Sequence, residues 1–177
     1  HLLKNKKEVL CGMIFSELLK DSGSSVNLFL TDSLKFKHVS FIFKPSKYLS
    51  LSKFIFQFDT ITAKKILRDY TRINYFKDSI FFNDTDLQKA KNELKKQFVK
   101  YKTTDEYLNS MAAYTSLTSL NYYCKAADSI DVVTINDMIK FVEYYIASNN
   151  FVSILSASVA YYDSLQLDSL FVTTASS

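Results

Sequence analysis

Glycine, proline, histidine and cysteine are scarce in this chain, which has two glycines, one proline, two histidines and two cysteines among 177 residues. Loops must therefore be short or built from Ser, Asn, Asp and Thr, and a glycine-rich phosphate loop is excluded. No apolar run reaches the about 18 residues that a membrane span needs, so we expect none. Because the chain begins with His1 and lacks a signal-peptide pattern, we expect a mature product or an excised piece.

The composition is that of a folded domain, with 47% apolar and 15% aromatic residues. We expect one domain over residues 1–165 and a frayed tail over 166–177. The many Phe and Tyr indicate an aromatic core, the alternative being an exposed adhesive surface. The formal charge of +4 is a mild excess that does not call for nucleic acid as a partner.

The most regular pattern lies between Asn83 and Tyr101, where apolar residues recur every three or four positions, as on one face of an α-helix. Asn83 can cap the first turn, and Asp86 can reach back to it as in a capping box. The polar positions should face water, and interleaved acids favour a solvated face over a nucleic-acid site. These predicted water-facing residues are Lys89, Lys91, Asn92, Lys95, Lys96 and Lys100.

Further helices are predicted over 3–21, 63–76, about 104–125, and after a cap at Thr134. Gly12 lies within the first of these helices, where it indicates either close approach of another backbone or simple tolerance. Gly23, beyond its end, is free to take the left-handed conformation. Cys11 and Cys124 lie in helical patterns, which favours buried free thiols over a disulfide.

Alternating patterns predict two antiparallel strands over 36–43 and 48–58, and a last strand is predicted over 151–159. We expect the hairpin to be backed by the helix that contains Leu94 and Phe98. The predicted fold class is therefore α+β, an antiparallel sheet with helices packed on one face.

Several short motifs resemble the non-catalytic, C-terminal type of domain in the pitrilysin/insulinase family of zinc metallopeptidases. One is the turn Ser24-Ser25-x-x-Leu28-Phe29, similar to the family's Ser-Ser-x-Leu-Phe with one residue inserted. The others are the helix start Asn83, Asp86, Leu87, Ala90, Lys91, Leu94 and the run Val133-Thr134-x-x-Asp137-Met138 that leads to Asn149-Asn150-Phe151-Val152. The resemblance implies a metallopeptidase half-domain, truncated at its N-terminal strands.

Catalytic members of this family bind zinc through a His-x-x-Glu-His helix and a later Glu, with the motif's Glu as general base. This chain has only His1 and His38, and the residues after His1 lack both the Glu and the second His. We therefore expect no catalytic, metal or cofactor-binding residue here, and zinc in a catalytic domain elsewhere in the parent protein. Pairing of a Cys124 nucleophile with His38 is a weaker alternative.

Active relatives often lend an Arg and a Tyr, seven residues apart, from this type of domain to position the substrate carbonyl. The resemblance aligns the Tyr position with His38 and the Arg position near Thr31, so neither residue is retained. His38 remains a possible substrate-side position. The expected role is to enclose and hold peptide substrate together with other domains of the parent. The alternative is a structural or interaction module of the same fold with no peptidase role.

Overall fold

The computed structural model describes residues 6–33, 35–44, 51–57, 82–101 and 126–146. The helices and strands of this part are α1 (Lys6–Lys20), α2 (Ser25–Leu28), β1 (His38–Lys44), β2 (Leu51–Gln57), α3 (Asp84–Tyr101), α4 (Ala126–Ser129) and α5 (Ile135–Phe141). Single π-helical turns, Phe29–Ser33 and Val142–Ile146, extend α2 and α5. The fold is α+β, as predicted.

β1 and β2 form the predicted antiparallel hairpin, in a register that pairs His38 with Gln57 and Lys44 with Leu51. One face of the hairpin, the core face, is lined by Val39, Phe41, Phe43, Ser52, Phe54 and Phe56. The opposite face, the outer face, carries His38, Ser40, Ile42, Lys44, Leu51, Lys53, Ile55 and Gln57. Every residue of the outer face is exposed except Ser40 and Ile55, which are half-buried.

α1 is the element around which the described part is arranged, because it packs against β1, α2, α3 and α5. The Phe15 ring lies edge-on to Phe41 at 5.1 Å between centroids, and Phe15, Ile14 and Leu18 are fully or almost fully buried. The helix that the apolar spacing over 3–21 predicts is therefore confirmed, and one of its faces is deeply buried. The expectation that the Leu94 helix backs the hairpin is wrong, because α1 occupies that place and α3 packs on α1.

Gly12 permits the contact between α1 and the sheet. A Cβ atom added there would lie 2.5 Å from the Phe43 ring, so the close neighbour is a side chain rather than a backbone. Ser16, one turn further on, donates its hydroxyl to the Phe41 carbonyl oxygen at 3.0 Å. The small residues of α1 therefore fit the helix against β1.

The chain does not use the left-handed conformation at the end of α1, because Gly23 does not have a positive φ. Its N–H donates to the Asp21 carboxylate at 3.1 Å, and the chain turns there without a positive φ at this glycine. An aspartate that bonds the backbone two residues on stabilises a turn without a left-handed residue. Ser24 then caps α2 by accepting from the Asn27 N–H.

α3 has the predicted bounds to within a residue, and Leu87, Ala90, Leu94 and Phe98 are buried as expected. Lys91 was expected in water but is only 6% exposed. Its ammonium group donates a hydrogen bond to the carbonyl oxygen of Asp131, just after α4, at 3.2 Å. The buried ammonium group therefore has a polar partner. α3 and the segment after α4 are thereby linked.

Several predictions fall outside the described residues: the helices over 63–76 and 104–125, the strand over 151–159, the tail over 166–177 and the state of Cys124. Cys11 is a buried free thiol, as predicted. Within the described ranges, no helix combines the length and apolar character that a membrane crossing requires.

Candidate functional site

Residues of two motifs that carry the family resemblance, the Ser24-Ser25 turn and the helix start at Asn83, meet in a junction between the N-termini of α2 and α3. We call Ser24, Ser25, Asn83 and Asp86 the capping junction. The Asp86 carboxylate accepts from the Ser25 N–H at 2.7 Å and from the Asn83 side-chain amide at 2.8 Å. That amide also donates to the Ser25 hydroxyl at 2.7 Å. Two helix starts that are far apart in the sequence therefore share one carboxylate.

The junction departs in one detail from the predicted capping box. Asn83 accepts from the Asp86 N–H at 2.8 Å, as a capping residue should. The Asp86 carboxylate, however, bonds Ser25 and the Asn83 amide instead of returning to the Asn83 backbone N–H. A carboxylate at two helix N-termini is favoured by both helix dipoles and by hydrogen bonds to its charged form. The arrangement stabilises the fold and leaves little of the carboxylate free for chemistry.

The third resemblance piece forms a complete capping box at the start of α5. Thr134 accepts from the Asp137 N–H, and Asp137 accepts from the Thr134 N–H at 2.9 Å. Lys7 of α1 also reaches the Asp137 carboxylate, at 3.2 Å. Burial alone would raise the pKa of Asp137, but the hydrogen bonds from Thr134 and Lys7 outweigh it and hold the pKa below its usual value. The box thereby anchors α5 to α1.

A groove of about 390 Å³ lies between α1 and the α5 region. Its polar side chains are largely paired with each other: Lys7 with Asp137, and the Tyr145 hydroxyl with the Glu8 carboxylate at 2.5 Å. Cys11 also lines it, and burial, with the nearby Asp137 charge, raises the pKa of that thiol to about 12. Cys11 is therefore protonated near neutral pH and unsuited to act as a nucleophile.

His38 is the first residue of β1 and lies exposed on the outer face, opposite Gln57. Within the described ranges, no side chain forms a hydrogen bond or ion pair with it. The Thr31 hydroxyl donates to the Asn27 carbonyl oxygen at 3.0 Å, which engages it in the turn after α2. The position aligned with the Tyr therefore carries the exposed imidazole of His38, and the position aligned with the Arg carries the Thr31 hydroxyl, which is already hydrogen-bonded.

No group of three or more His, Cys, Asp or Glu side chains in the described part is arranged to hold a metal ion. His1 and Cys124 lie outside those residues. The expectation of zinc in a catalytic domain elsewhere in the parent stays a prediction.

The sequence reasoning missed one surface feature, the absence of acids from the hairpin. Between Asp32 and Asp59 the chain contains lysines and His38 but no Asp or Glu. The signal was readable as a charge count along the sequence.

Comparisons with protein-family models, with curated proteins and with solved structures found no match to this chain.

Proposed function

We propose that this chain is a non-catalytic domain of a zinc metallopeptidase of the pitrilysin/insulinase type, where it helps to enclose and hold a peptide substrate. The capping junction carries this proposal. Its residues belong to two separate pieces of the resemblance, and they hydrogen-bond across a sequence distance of 58 to 61 residues. A shared structural role supports reading the two pieces as parts of one family signature rather than as two unrelated helix caps.

The order of elements also supports the proposal. In the described part, the chain runs from a buried helix through a Ser-capped short helix to a hairpin, and later to helices that are capped by Asn83 and Thr134. The resemblance implies the same order. Zinc and the general base would lie in another domain of the parent, because neither His1 nor His38 belongs to a His-x-x-Glu-His pattern.

The domain would hold peptide through main-chain hydrogen bonds at a strand edge and by closing a chamber, since both mechanisms need few particular side chains. Help with a developing oxyanion is disfavoured. Thr31 is engaged with Asn27, and a histidine replaces the tyrosine at position 38. The partners are then the other domains of the parent and an extended peptide.

The residues at positions 31 and 38 are equally compatible with a second candidate, a structural module of this fold without a peptidase role. A domain that no longer contacts a reacting carbonyl does not need the Arg and Tyr. Thr31 and His38 fit this alternative as well as they fit a purely peptide-holding domain.

The full-length parent distinguishes the two. We expect a His-x-x-Glu-His domain before residue 1, zinc-dependent cleavage of long unfolded peptides, and loss of that cleavage when residues 1–177 are deleted. His38→Ala should change kcat/KM by less than about tenfold. A parent without any zinc-dependent peptidase activity would favour the structural module. A loss of about a hundredfold or more in folded His38→Ala would show that His38 acts on the substrate.

A further inference from the structure

The hairpin is a basic surface within a chain of otherwise balanced charge. Residues 33–58 contain no Asp or Glu, and their cationic side chains are Lys35, Lys37, Lys44, Lys47 and Lys53. Lys44 and Lys53 lie on the outer face and are exposed. A patch of one sign attracts a partner of the other sign and raises its rate of association.

Most lysines on the described helices are paired with carboxylates, which distinguishes them from the two lysines of the outer face. Ion pairs join Lys89 to Asp21, Lys95 to Asp131 and Lys96 to Glu93, at 2.7, 2.6 and 2.6 Å. In the described part, neither Lys44 nor Lys53 has a carboxylate partner. Their charge is therefore not neutralised by a neighbouring acid of this part.

The outer face combines these cations with exposed aliphatic side chains. Ile42 pairs with Lys53, and Lys44 pairs with Leu51 in the register of the hairpin. Ile42 is 40% and Leu51 is 55% exposed. Because cross-strand neighbours lie about 5 Å apart and residues i and i+2 of a strand about 7 Å apart, the four side chains form a rectangle in which the two cations occupy one diagonal and the two aliphatic groups the other.

We propose that the outer face binds an extended acidic segment of a partner polypeptide, in which the residues that face the hairpin, every second one along the segment, are acidic and aliphatic in turn. An extended segment presents side chains on one side at every second position, with a spacing of about 7 Å. Its acids would meet Lys44 and Lys53, and its aliphatic residues would cover Ile42 and Leu51. The inference does not depend on the proposed peptidase role, because it uses only the charge and shape of this face.

The composition of the face favours polypeptide over single-stranded nucleic acid. Binding of unpaired bases without sequence preference uses aromatic side chains as stacking platforms. The hairpin's aromatic residues Phe41, Phe43, Phe54 and Phe56 all lie on the core face. The outer face therefore offers cations and aliphatic groups but no Phe, Tyr or Trp ring, and the imidazole of His38 lies at its end.

The test measures fluorescence anisotropy of a labelled seven-residue peptide, Glu-Ser-Leu-Ser-Glu-Ser-Leu, which matches the strands in length and presents Glu and Leu on the same side. The full chain should bind it, and Lys44→Glu with Lys53→Glu should weaken binding by about tenfold or more. Lys96→Glu with Lys140→Glu is the matched control, because it changes the net charge equally at exposed helix positions. This control should stay within about twofold of the unchanged chain, since screening weakens distant charges. Equal losses in the two double variants would overturn the proposal.

If circular dichroism shows that the hairpin variant is not folded, a second measurement on the unchanged chain still tests the proposal. Binding of the Glu peptide to the unchanged chain should weaken steeply with added salt, and a peptide with Gln in place of Glu should bind at least about tenfold more weakly. Equal affinity for the two peptides would overturn the proposal. Tighter binding of an oligothymidine strand or of phosphatidylserine vesicles than of the Glu peptide would assign the face to another partner class.

Discussion

Replacing Asp86 by alanine should destabilise the protein by about 3–4 kcal/mol, because its carboxylate joins two helix starts. The carboxylate accepts from the Ser25 N–H at 2.7 Å and from the Asn83 amide at 2.8 Å. Hydrogen bonds to a charged group contribute about 1.5–3 kcal/mol each, and half-burial of Asp86 places both near the lower end. Loss of a negative charge near the α3 N-terminus adds about 0.3–1 kcal/mol.

Asp84→Ala is the matched control. Asp84 also lies in the first turn of α3, but its side chain is exposed. This variant should lose only the interaction with the helix dipole, about 0.3–1 kcal/mol. Urea unfolding followed by circular dichroism gives both free energies of unfolding.

A double-mutant cycle that combines Asp86→Ala with Asn83→Ala separates the energy of the Asn83–Asp86 interaction from the separate contributions of the two residues. Asn83 and Asp86 should show a coupling energy of about 0.5–3 kcal/mol, as expected for partners in one hydrogen-bond network. Costs for Asp86→Ala and Asp84→Ala that agree within about 0.5 kcal/mol would refute the reasoning, since the Asp86 bonds would then contribute nothing measurable.

Phe98→Ala should lower the free energy of unfolding by about 3–5 kcal/mol, because Phe98 is buried in the core. Lys96→Ala, on the exposed side of α3, should change it by no more than about 0.5 kcal/mol. Similar losses for the two variants in urea unfolding would mean that the buried face of the helix is misassigned. Gly12→Ala should destabilise by about 1–3 kcal/mol through its clash with Phe43, and stabilisation by about 1 kcal/mol from helix propensity would contradict that contact. The pKa of Asp137 is lowered on folding, so its stabilising effect is present above the unfolded value of 3.8 and disappears as the pH falls through the lower folded value. The stability gap between the unchanged chain and Asp137→Asn should therefore narrow in acid, and a gap of equal size at pH 7 and in acid would contradict this linkage. The purified chain should hydrolyse no peptide and bind no stoichiometric zinc; metal analysis of untagged protein that finds one tightly held zinc per chain would disprove this.

The sequence was sufficient wherever the cause of a structure lies within a few residues. The apolar spacing of α3, the Asn83 and Thr134 caps and the alternation of the two strands were readable, because helix turns join residues three or four apart and strands alternate at every second residue. The α+β class and the burial of Cys11 followed from these local patterns. The residues of the candidate junction were also identified in this way, as two separate motifs.

Tertiary structure alone decided which of these elements meet. The Asp86 carboxylate accepts a hydrogen bond from Ser25, 61 residues away, instead of forming the local capping bond. Lys91 is buried and donates to the carbonyl oxygen of Asp131, 40 residues away. The Phe43 ring packs directly against Gly12, where a side chain would clash with it. The helix that packs on the hairpin is α1 rather than α3. Periodicity within an element shows which of its faces is buried, but the partner on that face depends on how all the elements pack together.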